Sequence, residues 1–196
     1  MEIDSRVFSY ERLVDNGNYV LLKRFRAVHN AEGITKYFHR QALKDEEDSA
    51  VKSYVVKLKG TEILIGIFTL KCGAIPYSEK AENLLFSKET LLIPGIELVN
   101  IALNDYALRI IKSMSEKIGK NIFFDIVQPV ALHISNELGA KVLYLFAANK
   151  LLAEYYKTWG FYSVDDDLFN KKLNSDWKND YSKGCIFMYK PIAEML

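Results

Sequence analysis

Asn149-Lys150-Leu151-Leu152-Ala153-Glu154-Tyr155-Tyr156-Lys157-Thr158-Trp159-Gly160-Phe161 follows a run, Val142 to Ala148, in which every residue is apolar. A run that apolar reads as a strand buried on both faces of a sheet. The residues after it place Leu151, Leu152, Tyr155, Tyr156 and Trp159 on one face of a 3.6-residue period, and Gly160 stands where a helix stops. A buried strand therefore feeds a short helix, with Asn149 placed to cap it.

Working upstream, Ile122, Ile126, Val130, Ile134 and Leu138 recur every fourth residue, so a long helix is predicted from near Gly119 to its stop at Gly139. Pro129 should bend it, because the proline ring clashes with the carbonyl four residues back. Asn104 to Lys117 reads as a polar, irregular connection, and Ile96 to Leu103 as the strand before it. Ser53 to Lys59 alternates and Glu62 to Leu70 is apolar, which with Lys59-Gly60-Thr61 between them predicts an antiparallel hairpin. Gly66 in its second strand marks a bend or a close backbone approach. Nearer the start, Asn18 to Val28 alternates apolar and basic residues and reads as a first strand, or the approach to one. Asn30 is placed to cap a helix to about Lys44, ended by a solvated charged turn, Lys44-Asp45-Glu46-Glu47-Asp48. Ser78 to Leu92, between Pro76 and Pro94, reads as a short helix or an ordered lid loop.

Downstream, Phe161 to Val164 and Gly184 to Lys190 read as strands joined by a polar connection, Asp165 to Lys183. The order of elements is that of a mixed α+β domain. One strand pair must run parallel, since a strand–helix–strand crossover joins parallel strands.

The 196 residues suffice for one well-buried domain, and 49% hydrophobic with 26% charged residues is ordinary for a folded, water-soluble chain. Lys and Arg number 26 against 25 Asp and Glu, a formal charge of +1. No global field draws in nucleic acid or anionic membrane, and a nucleic-acid partner is not expected. The start, Met1-Glu2-Ile3-Asp4-Ser5-Arg6, has acids and no apolar core, and no stretch approaches membrane-spanning length. A cytoplasmic protein with no membrane partner is the expectation. Cys72 and Cys185 form no C-x-x-C motif, and His29, His39 and His133 are scattered, so neither a disulfide framework nor a metal site is suggested.

The pattern Asn149, seven positions on Tyr156, then Gly160-Phe161, resembles the last helix of the GNAT superfamily of acyl-CoA-dependent N-acyltransferases. Pro94-Gly95-Ile96-Glu97-Leu98-Val99-Asn100-Ile101-Ala102-Leu103 is similar to that family's fourth strand, at the right separation. The resemblance spans roughly Ser53 to Lys190. It implies a single N-acetyltransferase-like domain over residues 1–196, with a central, mostly antiparallel sheet in which one parallel pair of strands splays apart, flanked by helices. It also implies an N-acetyltransferase using acetyl-CoA as co-substrate, with an amine-bearing small molecule or peptide as acceptor, and assembly as monomer or homodimer is open.

Carried onto this sequence, the resemblance makes Glu97 the base and Tyr156, near the coenzyme sulfur, the general acid. Main-chain groups of Ile101, Ala102 and Leu103 would meet the acetyl group and the pantetheine arm, and Asn149 would cap its helix, bond the pantetheine, or both. The pyrophosphate motif is degenerate: Met114-Ser115-Glu116-Lys117-Ile118-Gly119 keeps only its second small residue. Amides of Lys117, Ile118, Gly119 and Lys120 at a helix N-terminus, with the two lysine charges, would hold the phosphates instead.

Each assignment has a plainer alternative. Glu97 also reads as an outward-facing strand residue, Tyr156 as a core aromatic, and the lysines as solvated. Tyr155 rivals Tyr156, since neighbouring helix positions point about 100° apart. The weakened phosphate motif suits a non-catalytic or regulatory binding protein on the same scaffold. The stretch Ile34 to Leu43 with Ile67-Phe68-Thr69-Leu70 loosely resembles the toxin-like branch that acetylates aminoacyl-tRNA, with Lys23, Arg24 and Arg26 as a local basic patch.

Overall fold

Alternation over Lys52–Leu58 (β2) and the apolar run in Leu64–Pro76 (β3) do form the expected hairpin, in a computed structural model that describes residues 7–28, 31–76, 92–111, 117–164 and 184–195. With Phe8–Arg12 (β1), Leu92–Leu103 (β4), Val142–Ala147 (β5), Tyr162–Ser163 (β6) and Ile186–Pro191 (β7), the described residues build a seven-stranded mixed sheet in the order β1-β2-β3-β4-β5-β7-β6. Among the described residues its one registered parallel pair is β4 with β5, from Gly95↔Val142 to Glu97↔Tyr144. Helices flank the sheet, as α+β architecture requires.

The chain divides into two compact units, residues 1–71 with 98–130, and residues 72–97 with 131–196. In the first, β1 pairs antiparallel with β2, and a core gathers Leu13, Leu22, Phe25, Phe38, Val55 and Ile67. Gly66 shows both features read from its sequence: the β2–β3 register slips beside it, and a Cβ there would stand 2.8 Å from the Ala102 carbonyl oxygen.

Four expectations for this unit are corrected. Asn18 to Val28 is not the first strand; most of it lies in a 3₁₀ segment, Asp15–Arg24. Asn16 and Gly17 turn the chain with φ of 51° and 71°, and Asn18 donates from Nδ2 to Glu11 Oε2 and to the Arg12 carbonyl, both at 2.9 Å. Such local side-chain bonds compete with a sheet ladder. The helix expected up to Lys44 is two, Glu32–Arg40 (α1) and Ala42–Glu47 (α2), meeting at Gln41; Asn30 lies outside the described residues. The charged run is no solvated turn, since α2 carries most of it and Glu46 is 3% exposed. Lastly, the connection after β4 is not irregular throughout, because Asp105–Ile110 forms a helix (α3).

The long helix is present as Ile118–Ile122 (α4), a π-helical turn at Phe123–Val127 and Gln128–Leu138 (α5). Within the π turn the Gln128 amide bonds to the Phe123 carbonyl, five residues back. That wider winding sits just ahead of Pro129 and takes up the clash expected there. Ile122, Ile126 and Val130 are buried, but Leu138, read as part of the same stripe, is 59% exposed in the last turn before Gly139.

In the second unit, β5 is buried at nearly every position, as its unbroken apolar run required, and pairs antiparallel with β7 over all six residues. Lys150–Lys157 (α6) follows. Its buried side is narrower than the five-residue stripe implied. Ala153 and Trp159 are buried, while Leu151 is 81% and Tyr155 40% exposed. The Ser78 to Leu92 and Asp165 to Lys183 expectations fall almost wholly outside the described residues. No helix among the described residues is long and apolar enough to cross a membrane.

Candidate active site

The α6 helix begins as its sequence required. Asn149 holds an extended backbone and its Oδ1 accepts from the Leu152 amide at 2.9 Å, so the cap role is filled and Nδ2 remains as a donor. At the other end Gly160, with φ of 85°, ends the turn, and Phe161 donates its amide to the Tyr156 carbonyl. Tyr156 is half-buried against Trp159 and Phe161, with ring centroids 5.0 and 6.2 Å away. Burial, with a smaller contribution from Tyr155, pushes its hydroxyl up to about 12. Of the two neighbouring tyrosines, Tyr156 is the one turned inward.

Glu97 lies half-buried in β4, registered with Tyr144 of β5. The Tyr144 hydroxyl donates to Glu97 Oε2 at 3.4 Å, and burial first, then the Glu97 charge, raise the tyrosine's pKa. Sequence reasoning missed Tyr144. The only local signal was a hydroxyl-bearing residue inside an otherwise hydrocarbon run, which needs a polar partner when buried.

β5 uses one edge fully, for β7, while on its other edge the registered pairs end at Tyr144 and the strand continues to Ala147. In the first unit, the β4 residues Ile101 and Leu103 are half-buried and Ala102 is buried. The Leu103 carbonyl already accepts from the Val28 amide at 3.1 Å, beside an antiparallel bridge between Ala27 and Asn104. Of the Leu103 main-chain groups expected to face a coenzyme, that leaves the amide. Lys117, Ile118, Gly119 and Lys120 open the helical run, Ile118 buried and Lys117 exposed, and no side chain caps this start. Uncapped first-turn amides with a positive dipole end suit an anionic group. Lys120 holds its Nζ 5.8 Å from the Phe124 ring centroid, so of the two lysines Lys117 is the more available charge. Residues 112–116, the start of the degenerate motif, fall outside the described residues. Among the described residues no group of three His, Cys, Asp or Glu is placed to hold a metal ion.

The first unit also holds an open, polar cavity of about 570 Å³ lined by Arg26, Thr35, Lys36, His39, Asp105 and Arg109, among others. Lys36 pairs with Glu32 at 3.3 Å and Arg109 with Asp105 at 2.5 Å, exposed contacts of little energetic weight. Arg26 Nη1 donates to the Phe25 carbonyl at 2.8 Å and lies 3.1 Å from His39 Nε2. Lys23 and Arg40 line a second cavity, of about 430 Å³, which shares His39. The exclusion of nucleic acid from the +1 charge is therefore not supported. Net charge is a sum over the chain, whereas binding depends on where the cations lie.

No family model matches the sequence, and no curated protein matches it. Solved structures do. A tyrosine-to-phenylalanine variant of KacT is 14% identical with a TM-score of 0.71, over 97% of this chain and 98% of that one. AtaT complexed with acetyl-methionyl-tRNAfMet is 16% identical with a TM-score of 0.67, over 96% of both chains. AtaTR bound with acetyl-CoA is 17% identical with a TM-score of 0.65, over 97% of both. From β1 to β7, the chain has the fold seen in the AtaT toxin, a GNAT-like α+β sheet with one parallel strand pair.

Proposed function

We propose that the protein is an N-acetyltransferase that moves the acetyl group of acetyl-CoA onto an amine by direct attack in a ternary complex. The observation that carries this reading is a half-buried carboxylate, Glu97, at the last registered pair of the parallel β4–β5 ladder, on a fold shared with a structure described as bound to acetyl-CoA. Glu97 takes the proton of the attacking amine, directly or through a water. The amides of Ile101 and Leu103 meet the acetyl and pantetheine groups. Strand alternation turns the Ala102 main chain the other way, to β3, where its carbonyl oxygen faces Gly66, which corrects the expectation that Ala102 joins them. Lys117, Ile118, Gly119 and Lys120 hold the diphosphate, and Asn149 Nδ2 donates to the pantetheine.

Tyr156 faces the sulfur. With its pKa near 12 the hydroxyl stays protonated at working pH. Full transfer to an ordinary thiolate, whose thiol titrates near 8.5, would run uphill by about 5 kcal/mol. Tyr156 therefore acts first as a hydrogen-bond donor to the charge growing on sulfur, and its proton follows as that charge is desolvated. Thermal melting with acetyl-CoA tests the reading. At about 100 times the dissociation constant the coenzyme adds about 2.7 kcal/mol, or roughly 5–10 °C for a chain of this size. Tyr156→Phe should keep that shift while slowing thiol release about 10- to 100-fold. No shift at millimolar acetyl-CoA would refute the enzyme reading and leave the regulatory one.

A second reading makes the acceptor an aminoacyl-tRNA. It is favoured by the likeness to AtaT complexed with acetyl-methionyl-tRNAfMet and by Arg26, Lys36 and Arg109 around one cavity. Labelled acetyl-CoA should then mark aminoacylated but not deacylated tRNA, and RNA retention should fall steeply with salt.

A further inference from the structure

Tyr144 is 5% exposed in the middle of β5, and its hydroxyl reaches Glu97, 47 positions earlier in the chain. Parallel register sets the two side by side, and side chains at a registered pair project to the same face. Register alone does not lay a tyrosine flat across neighbouring strands, because ordinary side chains would fill that space. Here two of them are missing. A Cβ at Gly73 of β3 would overlap the Tyr144 hydroxyl oxygen and stand 3.2 Å from Cζ, and one at Gly95 of β4 would lie 2.9 Å from Val142 Cγ1 and 3.1 Å from Tyr144 Cδ1 and Cε1. The ring thus rests in a notch made by two glycines on two different strands, with the Phe187 ring 5.9 Å away.

Neither glycine takes a positive φ, so backbone conformation does not demand them. Space does, for the tyrosine at Gly73 and for the tyrosine and Val142 together at Gly95. Around the hydroxyl the ionisable groups that act on it are Glu97 from β4 and Cys72 from β3. Glu97 is the one that accepts its proton in a hydrogen bond. At 3.4 Å this contact is longer than a mature O–H···O bond, as catalytic hydrogen bonds in ligand-free enzymes commonly are.

We propose that Tyr144 is a positioning residue for Glu97: seated in the Gly73–Gly95 notch, its hydroxyl donates to Oε2, fixes the carboxylate's orientation and favours its ionised form. The inference rests on Glu97 being the base, though the contact itself does not. A tethered carboxylate loses less freedom on reaching the transition state, and a donor to the ionised form makes it harder to protonate.

Tyr144→Phe removes one oxygen and keeps the ring in its notch, so the fold is retained. Titration of Glu97 by NMR, with the carboxyl carbons of glutamate labelled and the signal assigned through Glu97→Gln, reads the contact without any acceptor. The Glu97 midpoint should rise by about half to one pH unit in Tyr144→Phe. In steady state, kcat should fall about three- to tenfold and KM for acetyl-CoA stay within about twofold, with the acidic limb of the rate profile moving up by the same interval. Gly73→Ala, which displaces the hydroxyl from the other side, should move the midpoint in the same direction. An unmoved midpoint in Tyr144→Phe overturns the proposal. A moved midpoint with full activity in Glu97→Gln keeps the contact and overturns the base assignment instead.

Discussion

Arg12 and Glu46 make the most exposed test of how the first unit is held together. Glu46 accepts from Arg12 through Nε at 3.0 Å and through Nη2, and from the Ser53 amide at 2.5 Å. Its side chain is 1% exposed while that of Arg12 is 34% exposed. Removing one partner of a fully buried pair costs about 3–5 kcal/mol, because a charge is left in low dielectric. Water reaches the arginine here, so about 2–3 kcal/mol is the expectation for Arg12→Met, which keeps the apolar stem and deletes the cation. For a chain of this length that lowers Tm by about 4–12 °C. Glu46→Gln should cost less, since the orphaned guanidinium can hydrate, and the two losses should not add. The cycle is read by urea and thermal denaturation at pH 7. If Arg12→Met costs under about 1 kcal/mol, or costs as much in the Glu46→Gln background as in the wild type, the pair does not anchor β1 to α2 and the reasoning fails.

Gly66→Ala should lower Tm by several degrees, because the new methyl would lie 2.8 Å from a backbone carbonyl that cannot rotate away, at about 1–3 kcal/mol. An unchanged or raised Tm would mean the β2–β3 bulge relaxes freely. Lys190 predicts a pH dependence. It is 5% exposed, donates to the Trp159 carbonyl at 2.9 Å, and burial lowers its pKa below the 10.5 of an exposed lysine. Between the lowered folded value and 10.5 the unfolded chain holds the extra proton, so this group makes stability rise with pH across that window. Tyr144 and Tyr156, with raised values, act oppositely above pH 10, which is why the comparison must be a difference. The Tm advantage of Lys190→Met over wild type should be largest near pH 7 and shrink toward pH 10, and a flat difference would refute the assignment.

Features that depend on neighbours in sequence were legible. The hairpin followed from alternation and a Lys59-Gly60-Thr61 turn, β5 from an unbroken apolar run, and the α6 start from Asn149, whose capping bond spans three residues. What stayed hidden depends on residues far apart. β1 was missed because Phe8–Arg12 is half-buried at four of its five positions and shows no clean alternation. α3 was missed because Tyr106 and Ile110 point outward and break the expected stripe. Glu46 looked solvated among four charged neighbours, and the cation that lets it stay buried lies 34 residues away.

The candidate site repeats that division. Glu97 and Tyr156 could be singled out because each is odd in its own segment, a carboxylate in an apolar strand and a tyrosine ahead of a capped helix end. Tyr144, Gly73 and Gly95 are odd only together. A glycine inside a strand reads locally as a weak point or a bulge. Its meaning changes once a parallel register sets a ring from a third strand across it, and no window of one strand contains that register. The same logic predicts where tolerance ends. A larger residue at Gly73 should be accepted in the fold only together with a smaller one at position 144, whereas one at Gly95 would still meet Val142 Cγ1, 2.9 Å from the added Cβ. If such paired changes restore stability while the hydrogen bond to Glu97 is gone, packing and chemistry at this site are separable, and the notch exists for the hydroxyl rather than for the core.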